Sequence, residues 1–370
     1  SLRRLPDVAR LLRRGTDGDV VLRCLDTWMG RLPPETRGYV SLDPADGTAA
    51  SLATSDGIVT SITADLPTAG WLEAFGRALA PLEDDTPELH VGSLPGQVGF
   101  RALHRADDVA PCDPGVASSL AARWSAGTGR MRALLGMSSS GPYAVDLVAD
   151  GPHLLVGGTT GAGKSELLRT LVASLAVSAP PHQLSFVLVD YKGGSAFQDC
   201  VRLPHTVGLV TDLDEHLTRR ALASLHAEIR RRERLLASAG AADLSEYERC
   251  GHVGTTPLAR MVIVVDEFRL LADDLPDFVA ALVRIAAVGR SLGVHLVLAT
   301  QRPAGIVTGD MRANVQLRVA LRMRDAGDSR DVLDGPEAAS ISDRLPGRGY
   351  VRGAGDQLVE IQSAQVSAAS

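Results

Sequence analysis

The octapeptide Gly158-Thr159-Thr160-Gly161-Ala162-Gly163-Lys164-Ser165 leaves this chain few folds to choose from. It has the pattern G-x-x-x-x-G-K-S, follows a short apolar run at 153–156, and opens a segment, 165–177, with apolar residues at helical spacing. A strand, a glycine-rich turn and a helix in that order make a phosphate cradle. Glycines let backbone N–H groups turn inward, and the helix N-terminus adds partial positive charge. All eight residues are candidate nucleotide ligands. Lys164 is placed to bridge the β- and γ-phosphates of ATP, and Ser165 to hold Mg²⁺.

The surroundings agree. The runs 185–189, 207–210, 261–265 and 294–299 are short, rich in Val, Leu and Ile, and end in Gly, Asp or Thr, as buried central strands do. Amphipathic segments at 215–237 and 277–289 alternate with them, the first with Leu217, Leu222, Leu225, Ile229 and Leu236 for an inner face. The expected fold is therefore α/β: a mainly parallel sheet flanked by helices. Residues 131–135 and 143–147 predict a hairpin beside that sheet. The first part reads differently, with strands at 39–42, 49–53 and 58–63, a short helix at 70–80, and a Pro-, Gly- and Asp-rich linker over 81–115. Two domains are expected: a strand-rich accessory region with its linker at 1–115, and the P-loop domain at 116–370.

An internal echo runs between the two. Val20 to Asp26, Arg31-Leu32-Pro33 and Arg37-Gly38-Tyr39-Val40 parallel Val319 to Asp325, Arg344-Leu345-Pro346 and Arg348-Gly349-Tyr350-Val351 in the same order, with different spacing. Either the N-terminal segment is the tail of a preceding, related module, or the match is chance.

Further chemistry collects at the strand ends. The run 261–265 leads into Asp266 and Glu267, which places two carboxylates where open α/β sheets bind ligands. Asp266 suits the Mg²⁺ shell and Glu267 suits a base that polarises water, so transfer of the γ-phosphoryl group to water is the expected reaction. The pair could also simply start a helix. Gln301 follows the strand at 294–299 and is a candidate γ-phosphate sensor, or part of a plain turn. Of 38 basic residues only Lys164 and Lys192 are lysine, which draws attention to Lys192 in Asp190-Tyr191-Lys192-Gly193-Gly194. It suits a nucleotide contact, a neighbouring subunit or a solvated loop.

Composition removes some alternatives. The chain has 370 residues, 45% of them hydrophobic and 22% charged, as in a folded domain. A net charge of −6 argues against a duplex-DNA surface. Cys24, Cys112, Cys200 and Cys250 are widely spaced and read as buried reduced thiols, and no apolar run approaches the ~20 residues that span a bilayer.

The P-loop block, Asp190 to Gly194, Leu203-Pro204-His205, Val264-Val265-Asp266-Glu267-Phe268 and Gly289 to Pro303 together resemble the FtsK/SpoIIIE family over about residues 130–365. Asp-Tyr-Lys-Gly-Gly resembles the EccC/EssC ATPases of type VII secretion more than the DNA translocases, which tend to carry Asp-Pro-Lys there. This resemblance implies a RecA-like core using ATP and Mg²⁺, and assembly with like ATPase modules into a homo-oligomeric, hexameric ring. It also implies secreted helical protein substrates, membrane components as partners, and a place on the cytoplasmic face of the cell membrane, this chain being a fragment of a membrane-anchored protein. A trans-acting arginine finger is implied too, matched at Arg220, with Arg290 and Arg302 as rivals. The expected function is an ATP-hydrolysing motor of protein secretion, weak in isolation. The alternatives are a DNA translocase and an ATP-gated scaffold with little turnover.

Overall fold

Strands β7 (His153–Gly157), β8 (Leu184–Asp190), β10 (Arg260–Asp266) and β11 (Val294–Thr300) are buried nearly throughout, and alternation sorts their side chains to opposite faces. Leu154, Val156, Val262, Val264 and Val297 enter one core cluster with Leu168, Leu171 and Leu175 of α3 (Lys164–Ser178). Leu155, Ile263, Val265, Leu296 and Leu298 enter a second with Phe278, Leu282 and Ile285 of α7 (Pro276–Leu292). Helices thus cover both faces of the sheet, which explains why these runs are apolar without a polar alternation.

This computed structural model describes residues 38–43, 49–54, 57–63, 70, 94–107, 109–126, 131–191, 196–211, 215–250, 257–303, 314–353 and 357–367. It divides into two compact units, Ser1–Asp85 and Thr86–Ser370. In the first, β1 (Gly38–Leu42), β2 (Ala49–Thr54) and β3 (Gly57–Thr63) form an antiparallel sheet in that order, as the N-terminal strand pattern predicts. Of the N-terminal half of the echo only Gly38 to Val40, in β1, are described; the rest of it, and all but Gly70 of the helix expected at 70–80, lie outside the described residues.

The second unit holds an 11-stranded sheet in the order β6-β5-β14-β13-β12-β7-β11-β10-β8-β9, with β4 (Val98–Gly99) on β14. From β9 (Thr206–Thr211) to β12 (Leu317–Leu321) every pair is parallel. Beyond β12, the strands β13 (Arg348–Arg352), β14 (Leu358–Gln365), β5 (Arg132–Ser138) and β6 (Gly141–Asp146) continue antiparallel. The expected hairpin is β5–β6, and Val319 pairs Val351 across β12 and β13. Within the stretch read as a linker, α1 (Phe100–Arg105) buries Leu103, and Arg132 holds the buried Asp107 at 2.6 Å. Among the described residues of this unit the remaining α-helices are α2 (Ala117–Ser125), α4 (Glu215–Ala239), α5 (Leu244–Arg249), α6 (Phe268–Asp274) and α8 (Ala326–Leu333).

Three expectations are corrected. The run 207–210 is β9 at the sheet edge rather than a central strand, so Val207 is 66% exposed. Leu217 is exposed because α4 packs into the core only from Ala221 and Leu222 onward. Cys250 is exposed, while Cys112 and Cys200 are buried and burial pushes the Cys200 thiol up to about 11; Cys24 lies outside the described residues. One buried cation had no sequence signal: Arg232 of α4 donates to the carbonyls of Leu292 (2.9 Å) and Ala259 (2.7 Å) while pairing with Glu228.

Candidate functional site

Parallel register brings the chemistry-bearing segments to one edge. Asp266 stands opposite Asp190 across β10 and β8, and Thr300 opposite Gly157 across β11 and β7. The P-loop, the acid pair and Gln301 therefore leave neighbouring strands at their carboxyl ends. Lys192 lies outside the described residues; on either side of the segment that contains it, the Asp190 carboxylate accepts from the Ala196 N–H at 3.1 Å.

The loop is stitched in place by backbone bonds. Gly158 N donates to Thr300 O (3.2 Å), Thr159 N to Arg322 O (2.9 Å), and Gly347 N to Ala162 O (2.9 Å). Gly163 has φ +98°, and a Cβ there would come 2.9 Å from Gly347 N, so only glycine fits this turn into α3. The helix leaves its first N–H groups without intrahelical partners at its positive end, which suits phosphate.

Lys164 opens α3 and is buried. Its ammonium pairs with Asp266 and lies 3.6 Å from Glu267 Oε1. Burial pushes the Asp266 carboxyl above its usual range, and Lys164 opposes that shift. Glu267 is buried at φ +57°, ψ +41°, a left-handed conformation that costs a non-glycine residue about 1–3 kcal/mol. Its N–H donates to Asp266 Oδ1 at 2.8 Å, its carbonyl accepts from Leu270 N at 3.0 Å, and its carboxylate accepts from Gln301 Nε2. Gln301 Oε1 in turn accepts from the Thr160 hydroxyl at 2.9 Å.

The structure thus joins Thr160, Lys164, Asp266, Glu267 and Gln301, which are scattered in sequence. Ser165 sits beside Lys164 in the first turn of α3. Among the described residues no three His, Cys, Asp or Glu side chains form a metal cage. Ser165 and Asp266 fit the sparser demand of Mg²⁺, which keeps water and substrate phosphates as its other ligands.

A cavity of about 520 Å³ opens beside the acid pair, lined by Glu267, Arg269, Gln301, Arg302, Arg324 and Asp328. Arg302 thus lines the same cavity as Glu267, while Arg290 lines a separate cavity with Arg260 and His295, at the amino ends of β10 and β11. Arg220 lines neither; it is exposed on α4. Sequence reasoning missed Arg322 and Arg324, because nothing before the structure put the end of β12 against β7 and hence beside the loop.

Comparison with known proteins gives a consistent result. Residues 117–305 match the FtsK/SpoIIIE family. Over 215 residues the chain is 41% identical to the type VII secretion system protein EssC of Staphylococcus aureus, a stretch that is 58% of this chain and 14% of that protein. The cytoplasmic domain of the Thermomonospora curvata type VII secretion ATPase EccC superposes with a TM-score of 0.66 at 35% identity, over 74% of this chain and 32% of that one. A structure of ATPases 2 and 3 of the same EccC, in complex with a signal sequence peptide, gives 0.58 at 27% identity, over 65% and 44%. The chain thus spans a small part of its relatives' length and is homologous to their ATPase domains.

Proposed function

The chain belongs to the FtsK/SpoIIIE family, and we propose that it is an ATP-hydrolysing module of a type VII-like protein secretion machine. Lys164, Asp266, Glu267 and Gln301 meet at one sheet edge in front of the P-loop, and this meeting carries the proposal. The P-loop N–H groups and Lys164 hold the phosphates. Ser165 and Asp266 would hold Mg²⁺, which would supply positive charge against the phosphates. Glu267 accepts the proton of the attacking water, while Gln301 stands where loss of the γ-phosphate can be felt.

Homology to EssC and EccC supports the secretion branch, and supports like ATPase modules and exported protein as partners. Among the described residues no helix is long and apolar enough to cross a membrane. Likeness to the cytoplasmic domain of EccC supports a place at the cytoplasmic face of the cell membrane. The exposed position of Arg220 suits a cation offered to a neighbouring module.

Hydrolysis by wild type, Glu267→Gln and Arg220→Ala at rising protein concentration tests this. Turnover that rises with concentration and disappears in both variants is expected. Negligible, concentration-independent turnover would point to a scaffold, and salt-sensitive stimulation by duplex DNA would point to a DNA pump.

A further inference from the structure

We propose that Thr160 is a positioning residue for Glu267, acting through the Gln301 amide; this deepens the hydrolytic role proposed above and rests on it. A P-loop cradles phosphate with backbone groups, so the cradle itself requires no side chain at position 160. Yet the Thr160 hydroxyl lies 2.9 Å from Gln301 Oε1, and the other end of that amide donates to Glu267.

The chain of bonds has one allowed polarity. The amide nitrogen donates to the Glu267 carboxylate oxygen, so the amide oxygen faces away from it and toward Thr160. That oxygen then needs a donor, and the threonine hydroxyl supplies it. With the amide reversed, oxygen would face carboxylate and the bond to Glu267 would be lost, while the threonine oxygen could accept from the amide nitrogen instead. By donating to the amide oxygen, Thr160 supports the orientation that the bond to Glu267 requires.

The residue that carries the donor is itself held. Thr159 N is bonded to Arg322 O (2.9 Å), Arg322 donates back to Thr160 O (3.4 Å), and Gly158 N is bonded to Thr300 O, one residue before Gln301. The start of the loop and the amide share the end of β11, and the loop tip is held by the residue that follows β12. Any shift of the Thr160 hydroxyl therefore passes through Gln301 to Glu267.

The test compares wild type, Thr160→Val, Thr160→Ser, Gln301→Ala and the Thr160→Val/Gln301→Ala double variant. Hydrolysis rates, equilibrium binding of a non-hydrolysable ATP analogue and nucleotide-free melting temperatures are measured for each. Thr160→Val should lower kcat about tenfold or more while weakening analogue binding less than threefold. Thr160→Ser should restore kcat, and the double variant should turn over and melt like Gln301→Ala alone. Additive losses, no rescue by serine, or a loss of affinity matching the loss of rate would overturn the assignment. If wild type neither binds nor hydrolyses ATP, the hydrolytic role fails, while the nucleotide-free melting cycle still decides whether Thr160 acts through Gln301.

Discussion

Lys164 and Asp266 form a buried ion pair across the candidate site, the lysine at the start of α3 and the aspartate at the end of β10. Removing one partner strands the other. Lys164→Ala should abolish measurable binding of an ATP analogue and destabilise the apo-protein by about 3–5 kcal/mol at neutral pH. Asp266, already raised by burial, rises further without its cation. A carboxyl whose folded-state pKa lies above its unfolded value favours the fold at low pH and loses that contribution as pH rises. Denaturant melts of the variant against wild type should therefore diverge more at pH 8 than at pH 5.

Glu267→Gln keeps the size of the side chain and removes its basicity. Turnover should fall by roughly 10²–10⁴-fold, while affinity for the analogue changes little. Single-turnover hydrolysis and fluorescence titration separate the two effects.

Two buried histidines give the fold a dependence on acid. His153 and His295 are held neutral by burial, with pKa values lowered to about 4 and about 3. His153 Nε2 donates to Ala286 O (2.9 Å) while its Nδ1 accepts from Leu296 N (3.0 Å), and His295 Nδ1 donates to Pro152 O (3.0 Å). Below about pH 6.5 the unfolded chain takes up protons that the folded chain refuses. Stability should decline from there towards pH 4, and His295→Asn should flatten that slope in thermal melts.

Arg232 ties α4 to the end of α7 and to the approach to β10. Arg232→Ala should cost about 2–6 kcal/mol in chemical denaturation, by leaving the carbonyls of Leu292 and Ala259 without this donor, while Glu228 keeps its bonds from Arg231. Arg232→Lys should recover little of it, since an ammonium cannot span that fork.

How legible all this was depended on distance along the chain. The P-loop and the acid pair each sit at the end of an apolar run, so local pattern located them. Burial was misread at β9 and Leu217 because an edge strand and the start of a helix carry the same composition as central ones. The bonds among Thr160, Gln301 and Glu267, and the approach of Arg322 to the loop, depend on which strands become neighbours, and no single segment encodes that. The antiparallel half of the sheet was largely missed for the same reason: β14 pairs with β5, far earlier in the chain.

That antiparallel half carries a kinetic consequence. Gly347 holds Ala162 of the loop, Ser363 N bonds to Gly347 O at 2.8 Å, and Thr170 of α3 bonds to Ala364 O across 194 residues. Contacts of such separation close late, because the entropy of the intervening chain must be lost before they form. A nascent polypeptide that has released its P-loop from the ribosome does not yet own a finished phosphate cradle. Nucleotide can stabilise the domain only once the final strands have docked, so ATP should slow unfolding of the completed domain without accelerating the early steps of its folding.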